Sequence, residues 1–464
     1  MANLKIPYEI PEKPGTFLEL SVPDQNLWIQ CLPSEPKAIA NLSRAVETAV
    51  DSPIAGTKLS DLLGRGRKIT FITENQFREA PAREILPVLI QRAKEAGCEI
   101  SIVVGCGALP PLNPQEMEKK FGSDLVHSGI PILCSDVNGP EPFRFLSTTK
   151  AGTPVFLHER VADADVIITL STTQATVWGY GGSGMIIPAV TSNETIEINH
   201  LLSLAPDCIP GNNDCLMQQD KYEALEMAGV QMGINVIVSN QGEVIFLNAG
   251  APVESHKQAV QAYNQIYQFI LPELNRRRAD IAIAGSTSVT DHLFFHSGWA
   301  VANCDPAVRD GGIIIFASPC PGYGNWPGFI RMDVLKPYLS SPAQNQARAL
   351  KDFYRQIVSG KKSFAWYKIF EVMTRKEVWI VTDPVNLPFC REIGLTAYTS
   401  ITEAFNRAMD HCGKNAQVAF IPYARYTIIK AGNGETHLLK TSEHMEPQRT
   451  QRKRRRSNKI GIME

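Results

Sequence analysis

The feature that most constrains this fold is a regular alternation of short apolar runs with amphipathic helical stretches. Residues 68–73 have the β-branched and aromatic composition of a buried strand, and residues 82–96 repeat their apolar side chains at helical spacing. The strand pattern returns at 100–104 and at 165–170. Chains that alternate in this way form parallel sheets with helices packed on their faces, so we predict an α/β protein.

The second half of the chain repeats this alternation, and 464 residues are too many for one ordinary core. We therefore predict two domains with largely parallel sheets flanked by helices, formed by residues 1–275 and residues 276–445. In the first domain, residues 240–242 predict the turn of a hairpin, and a long helix is expected over 253–271. The basic residues 446–464 have no apolar period and are predicted to be a disordered tail.

Charge and composition narrow the class of partner. The net charge of −1 and the pI of about 6.8 provide no field that would attract nucleic acid or an anionic membrane. No apolar run is long enough for a transmembrane helix, and the ten cysteines form no CxxC pair, which is typical of a reduced cytoplasmic protein. We expect a small-molecule carboxylate as the partner, with no nucleic acid and no membrane; a homo-oligomer is left open.

In open α/β sheets ligands bind at the C-terminal ends of the strands, so the residues that follow each predicted strand are the candidates. Arg78 lies just before a predicted helix, where its guanidinium and the backbone N–H groups would bind an anion. The alternative is a surface arginine paired with Glu74 or Glu79. We assign substrate binding to Arg78, together with the polar neighbours Asn75 and Gln174.

Four residues are candidates for acid–base or nucleophilic chemistry. Cys106 lies in a glycine-containing turn after a strand, although a buried, inert thiol is the simpler interpretation because the sequence places no base beside it. His292 and His296 are four residues apart, so a helix would present both on one face, where they would bind a metal or move a proton. Tyr180 is the fourth candidate.

A glycine-rich loop, Gly179 to Gly184, follows the strand at 165–170. Its backbone N–H groups are suited to a phosphate-bearing cofactor, so we predict cofactor contacts at Gly181, Gly182, Ser183 and Gly184. The loop is not a P-loop, since no Gly-Lys-Ser/Thr ends it, and glycine-rich loops are common.

In chain order these segments resemble the nickel-dependent lactate racemase (LarA-like) family over about residues 40–430. Residues 75–81 keep the arginine and the final proline of that family's Asp-x-Thr-Arg-Pro-x-Pro motif. The strand at 161–169 is similar to the one that leads into the family's glycine-rich loop. His200, within Asn199-His200, matches the position of a nickel ligand in the family, and we predict it as the metal-binding residue.

Several groups that the resemblance would place in the active site differ. One catalytic histidine is replaced within residues 105–108, and the second falls at Ala175. The lysine that tethers the family's nickel pincer nucleotide falls at Ser183 or Gly184. Residues 294–298 lack the glutamine and lysine that contact substrate in the family.

The resemblance implies the LarA-like fold and a racemase or isomerase activity on a 2-hydroxy acid. The cofactor is not determined: nickel pincer nucleotide is what the family implies, but a lysine-tethered form is not expected here. Three hypotheses remain. The chain is an enzyme with changed acid–base chemistry on a small carboxylate, a nickel-pincer racemase or epimerase with non-covalently held cofactor, or a non-catalytic ligand-binding or partner subunit.

Overall fold

A computed structural model describes the fold for residues 1–10, 13–140, 142–182, 186–287, 297–321, 337–338, 341–355, 364–392 and 394–432. The strands of these residues are β1 (Ala2–Pro7), β2 (Phe17–Val22), β3 (Leu27–Gln30), β4 (Lys68–Glu74), β5 (Glu99–Gly105), β6 (Ile132–Cys134), β7 (Phe143–Thr148), β8 (Pro154–His158), β9 (Val166–Thr172), β10 (Ala175–Thr176), β11 (Gly179–Tyr180), β12 (Met232–Val238), β13 (Val244–Gly250), β14 (Gln268–Leu271), β15 (Ala279–Ala284), β16 (Val308–Ala317), β17 (Glu377–Val381), β18 (Thr396–Tyr398), β19 (Val418–Ile421) and β20 (Ile428–Ala431).

The α-helices of the described residues are α1 (Leu42–Asp51), α2 (Leu59–Leu62), α3 (Ala82–Glu95), α4 (Pro114–Phe121), α5 (Ser123–Val126), α6 (Glu159–Ala162), α7 (Asn193–Leu201), α8 (Leu216–Met227), α9 (Pro252–Tyr267), α10 (Trp299–Cys304), α11 (Pro342–Tyr354), α12 (Phe364–Met373), α13 (Leu387–Glu392) and α14 (Ile401–Cys412). Short 3-10 turns are formed by Leu202–Leu204, Pro272–Asn275, Asp305–Ala307 and Pro384–Asn386. No helix among the described residues combines the length and apolar character needed to cross a membrane.

The first large sheet has six strands in the order β13-β12-β9-β4-β5-β6. All neighbours in it are parallel except β12 and β13, which form the predicted antiparallel hairpin. Its central strand β9 is buried at every residue, as expected for a parallel strand covered on both faces. Helices α1 and α3 contribute Val46, Val50, Ile85 and Leu89 to the apolar cluster on one face.

The second large sheet also has six strands, in the order β18-β17-β16-β15-β19-β3, and every pair in it is parallel. The α/β prediction with two largely parallel sheets is confirmed. Strand β3 comes from the N-terminal end of the chain but pairs with β19, so the first 30 or so residues pack on the second sheet. The boundary between residues 275 and 276 stays a prediction.

Two helix ends show how local and distant contacts set the boundaries of a helix. Helix α4 begins at a capping box, in which Asn113 Oδ1 accepts from the Glu116 backbone N–H at 2.9 Å and the Glu116 carboxylate accepts from the Asn113 N–H at 2.8 Å. The helix expected over 253–271 is shorter than predicted. It ends at Tyr267, and β14 continues the chain by pairing in parallel with β20.

Candidate functional site

A cavity of about 170 Å³ opens at the C-terminal ends of β4, β5 and β9. The strand-end residues Glu74, Gly105 and Thr172 all line it, as do residues of the loops and helices that follow these strands. Trp299 of α10 comes from the C-terminal half of the chain, so both halves contribute to the cavity. The volume is below the ~300 Å³ of a drug-sized pocket and suits a small metabolite.

Arg78 lines this cavity, and its guanidinium forms no ion pair with an acidic side chain among the described residues; burial lowers its pKa, while the charges of Glu74 and Glu79 raise it. The Glu74 carboxylate instead accepts hydrogen bonds from the Thr172 backbone N–H at 2.8 Å and from its hydroxyl at 2.8 Å. Glu79 accepts from the Tyr426 hydroxyl at 2.6 Å. The alternative of a surface arginine paired with Glu74 or Glu79 therefore does not hold, and the guanidinium remains available to an anionic ligand.

The Arg78 guanidinium is held by an aromatic ring. Its Cζ lies 5.4 Å from the centroid of Trp299, and the Cζ of the fully buried Arg425 lies 4.1 Å from the same centroid. Arg425 donates from Nη1 to the Ala175 carbonyl at 3.0 Å. Burial lowers the pKa of Arg425 to about 10, with the Arg78 charge contributing, so its guanidinium still carries a charge at neutral pH beside that of Arg78. The two guanidinium groups offer the positive charge that a carboxylate needs, in a region that also holds Glu74 and Glu79.

Asn75 and Gln174, the two predicted polar neighbours, also line the cavity and are buried. Asn75 Oδ1 accepts from the Phe77 backbone N–H at 3.0 Å, which fixes the turn that precedes Arg78. Gln174 Oε1 is buried and accepts no hydrogen bond from the described residues. A buried acceptor without a donor is costly, so a ligand hydroxyl that donates to Gln174 would relieve that cost.

The described part of the glycine-rich loop lines the cavity at Gly181 and Gly182. Gly182 has a φ of +101°, and a Cβ there would lie 2.9 Å from Cδ2 of His256. His256 Nε2 donates to the Gly181 carbonyl at 2.8 Å, and its Nδ1 lies 2.8 Å from the Tyr222 hydroxyl. Burial lowers the pKa of His256 to about 4, which keeps the imidazole neutral. His256 positions this loop, a role not predicted from sequence.

His200, on α7, is buried and lines the cavity beside Trp178, whose ring centroid is 5.0 Å away at 74°. Burial lowers the pKa of His200 to about 4, and the positive charge of Lys221 acts in the same direction. The imidazole is therefore neutral at physiological pH and able to accept a proton or to bind a metal. This placement agrees with the predicted location of His200 in the site, while its role stays a prediction.

Lys221 of α8 is the cavity-lining side chain that sequence reasoning missed. It is 7% exposed, and its Nζ donates to the Tyr180 carbonyl at 3.3 Å. A signal was present in the sequence, because Lys221 lies four residues after Met217 and four before Leu225, both buried on α8. A lysine inside the apolar stripe of a helix is unusual and indicates a specific environment.

Two predicted catalytic residues are placed less favourably. Cys106 lines the cavity, but its burial and its hydrogen bond with Cys134 raise its pKa, which disfavours the thiolate needed for attack. Tyr180 does not line the cavity. Its hydroxyl donates to Asn264 Oδ1 at 2.5 Å and its ring packs against Tyr263, so a catalytic role for Tyr180 is not supported.

Four other predicted residues lie outside the described part of the chain: His292, His296, Ser183 and Gly184. The predicted basic tail also lies outside it. Their roles stay predictions. One cavity is lined by the remaining predicted residues other than Tyr180: Arg78, Asn75, Gln174, Cys106, Gly181, Gly182 and His200.

Comparison with known proteins relates this chain to one family by similarity. Residues 15–208 match the model for the lactate racemase N-terminal domain. The chain is 23% identical over 450 residues to the lactate racemase of Thermoanaerobacterium thermosaccharolyticum, covering 93% of this chain and 100% of that protein. It is 23% identical over 397 residues to the lactate racemase of Lactiplantibacillus plantarum, covering 83% and 90%.

The chain is similar to the lactate racemase (LarA-like) family over nearly its whole length. Solved structures agree on the fold of this LarA-like protein. The lactate racemase apoprotein from T. thermosaccharolyticum matches with a TM-score of 0.79 and 22% identity, over 92% of this chain and 100% of that one. A Thermotoga maritima protein matches with a TM-score of 0.63 and 17% identity, over 86% and 100%.

The family implies a nickel pincer cofactor, and the residues of this LarA-like protein fit its tethered form poorly. The loop from Ser171 to Gly184 contains no lysine, so no side-chain amine is available in it for a covalent link. His200 offers one neutral ring nitrogen. No group of three histidine, cysteine or acidic side chains that would hold a metal occurs in the described ranges. We therefore derive no chemical step through a nickel cofactor tethered at this loop.

Proposed function

We propose that this LarA-like protein is an enzyme that acts on a small hydroxycarboxylate in the cavity between its two halves. The reaction would be of the isomerase or racemase type, or changed acid–base chemistry, without a lysine-tethered nickel pincer. The observation that carries the proposal is Arg78, a guanidinium that lines the cavity with neither Glu74 nor Glu79 bound to it. A guanidinium so placed binds a carboxylate through two parallel hydrogen bonds.

The neighbouring polar groups fit the rest of such a substrate. With the carboxylate on Arg78, a hydroxyl on the adjacent carbon would donate to Gln174 Oε1, which is buried without a donor. His200 is held neutral by burial and would take the proton from C2 and return it to that carbon, so the step needs no hydride acceptor. Trp178 and Trp299 border the cavity and limit access of water to these groups. These three polar contacts define a substrate with a carboxylate and an adjacent oxygen.

A second candidate is a racemase or epimerase that holds a nickel pincer nucleotide without the covalent tether. The neutral imidazole of His200, lining the cavity beside Gly181 and Gly182, is the observation that favours it. Nickel is plausible from the family alone. This candidate requires nickel in the active protein, whereas the first does not.

The test is conversion of single enantiomers of short 2-hydroxy acids, followed by chiral chromatography and by uptake of deuterium at C2. We expect conversion by the purified protein and a loss of about tenfold to 100-fold in kcat/KM for Arg78→Gln, because hydrogen bonds to charged groups contribute about 1.5–3 kcal/mol. Arg83→Gln, an exposed arginine of α3, is the matched control and should behave like the wild type.

Nickel analysis of the same preparation, with and without co-expressed cofactor-making enzymes, separates the two candidates. Activity that appears only with stoichiometric nickel would establish the second candidate in place of the first. Binding of hydroxy acids that depends on Arg78 without any turnover under either condition would contradict both, and would identify a ligand-binding subunit.

A further inference from the structure

Lys221 is the buried group that the proposed reaction does not use. It enters the cavity from α8, on the side of His200 and the glycine-rich loop. Its one hydrogen bond within the described structure runs from Nζ to the Tyr180 carbonyl at 3.3 Å, and no described carboxylate forms an ion pair with it. A lysine with 7% exposure and no carboxylate in an ion pair with it needs an explanation.

The nearest acidic side chain in the sequence is already occupied. Asp220 is buried and accepts hydrogen bonds from the hydroxyls of Thr149 and Thr153 and from Asn199 Nδ2, the last two both at 2.7 Å. Its carboxylate is therefore satisfied on another face of α8. Lys221 is left facing the cavity, and nothing in its own helix neutralises an ammonium there.

This setting favours the neutral amine. Desolvation lowers the pKa of Lys221, while Cys215, Cys208 and Asp220 act in the opposite direction through their charges. An amine that loses its proton easily in a dry site is a nucleophile toward carbonyl carbon.

We propose that Lys221 forms a reversible imine with the 2-oxo group of a small carboxylate held by Arg78. This inference rests on the proposed carboxylate site, and it adds an activity with 2-oxo acids to that function. The guanidinium and the amine line one cavity of about 170 Å³, and the imine requires that one short acid spans the two groups. A 2-oxo acid carries the two matching groups on adjacent carbons.

The step balances without any oxidant or reductant. The Lys221 nitrogen attacks the carbonyl carbon, and the C=O π bond opens to a carbinolamine after proton transfer to oxygen. The carbinolamine then loses its hydroxyl with the remaining N–H proton as water, leaving C=N. His200 is the neutral group on the same side of the cavity that would carry protons between nitrogen and oxygen.

The experiment is reduction of the imine by borohydride in the presence of pyruvate or glyoxylate, followed by peptide mass spectrometry. The reduced adduct increases the mass of the peptide by the mass of the acid minus the mass of one oxygen atom. We expect this adduct on the peptide that contains Lys221, and we expect none without the acid. Lys221→Met, a replacement of similar length that suits the buried site, should abolish it while far-UV circular dichroism and thermal unfolding show a folded protein.

Two further comparisons test the geometry. Lys257→Arg, at an exposed lysine of α9, should leave the labelling unchanged. Arg78→Gln should lower the labelling rate at limiting acid by about tenfold or more, and acetone, which has no carboxylate, should label poorly in the wild type. These results would establish a directed imine rather than general lysine reactivity.

The outcomes separate this inference from the proposed function. If the protein turns over hydroxy acids but gives no Lys221 adduct, the imine is overturned and the proposed function stands. If the protein turns over no hydroxy acid but forms a Lys221 adduct that depends on Arg78, the imine is supported and the proposed reaction is refuted. Labelling spread evenly over exposed lysines, unaffected by Lys221→Met, would overturn the imine as well.

Discussion

Acidification should destabilise this protein through His256, the buried residue that holds the glycine-rich loop. Burial is the main cause that lowers its pKa from 6.5 to about 4, and the charge of Lys221 acts in the same direction. The unfolded chain therefore binds a proton more readily than the folded one between these values. The stabilising contribution of the neutral imidazole is complete above pH 6.5 and is lost as the pH falls toward 4.

The size of this loss follows from the difference in pKa between the two states. One pKa unit corresponds to about 1.4 kcal/mol, so the full loss is about 3 kcal/mol, of which about 2 kcal/mol is reached near pH 5. Glu79 acts with the opposite sign. Its pKa is raised to about 7, chiefly by burial, so its stabilising contribution is present at low pH and is lost as the pH rises through that value.

A difference between variants isolates the His256 contribution, because Glu79 titrates equally in each. His256→Gln retains an amide N–H that can donate to the Gly181 carbonyl but has no group that titrates in this range. Urea unfolding near neutral pH and near pH 5 should show a smaller acid loss in His256→Gln than in the wild type, by about 2 kcal/mol. His127→Gln, at an exposed histidine, should keep the wild-type slope. Equal slopes in His256→Gln and the wild type would refute the reasoning.

Three further substitutions probe the site and its support by urea unfolding or ligand binding. Gly182→Ala should lower the free energy of unfolding by about 1–2 kcal/mol for the left-handed backbone and by about 1–3 kcal/mol more for overlap with His256. Gly152 has a φ of +91° but open space around it, so Gly152→Ala should show only the backbone contribution. Asp305→Asn should cost about 3–5 kcal/mol, because it leaves the fully buried Lys376 side chain without the carboxylate that pairs with it, while Asp310→Asn, 67% exposed, should cost little. Trp299→Leu should weaken carboxylate binding by about threefold or more, since it removes the ring against which Arg78 lies, worth about 0.5–1 kcal/mol or more.

The parts of the fold that were predicted correctly are those with a strong local pattern. The buried strand at Lys68–Glu74 and the hairpin of β12 and β13 are each specified by neighbouring residues. The pairing of β3 with β19 joins residues almost 400 positions apart, and no local pattern encodes it. The end of α9 was misjudged for the same reason, because Gln268–Leu271 leaves the helix to pair with the distant β20.

The residues of the candidate site also fall into two groups, those that a local sequence pattern predicts and those that it does not. Arg78, Asn75, Gln174 and Cys106 were found because the strand-end rule predicts where side chains of parallel strands converge. The residues that were missed, Lys221, His256 and Trp299, all lie on helices. Lys221 and Trp299 line the cavity, and His256 supports the glycine-rich loop beside it. Only Lys221 carried a usable signal, a charged side chain among buried positions of α8.

The position of Lys221 changes how the loss of the family's lysine is to be understood. The glycine-rich loop has no lysine to offer, yet the cavity beside it still contains one primary amine, supplied by a helix. An amine on a buried helix is fixed in position and desolvated, and both conditions favour reversible bonding to a substrate carbonyl. The retained groups, a guanidinium and a neutral imidazole, suit the same kind of substrate. In the proposed imine, Arg78 binds the carboxylate and the source of covalent chemistry is α8 rather than the glycine-rich loop.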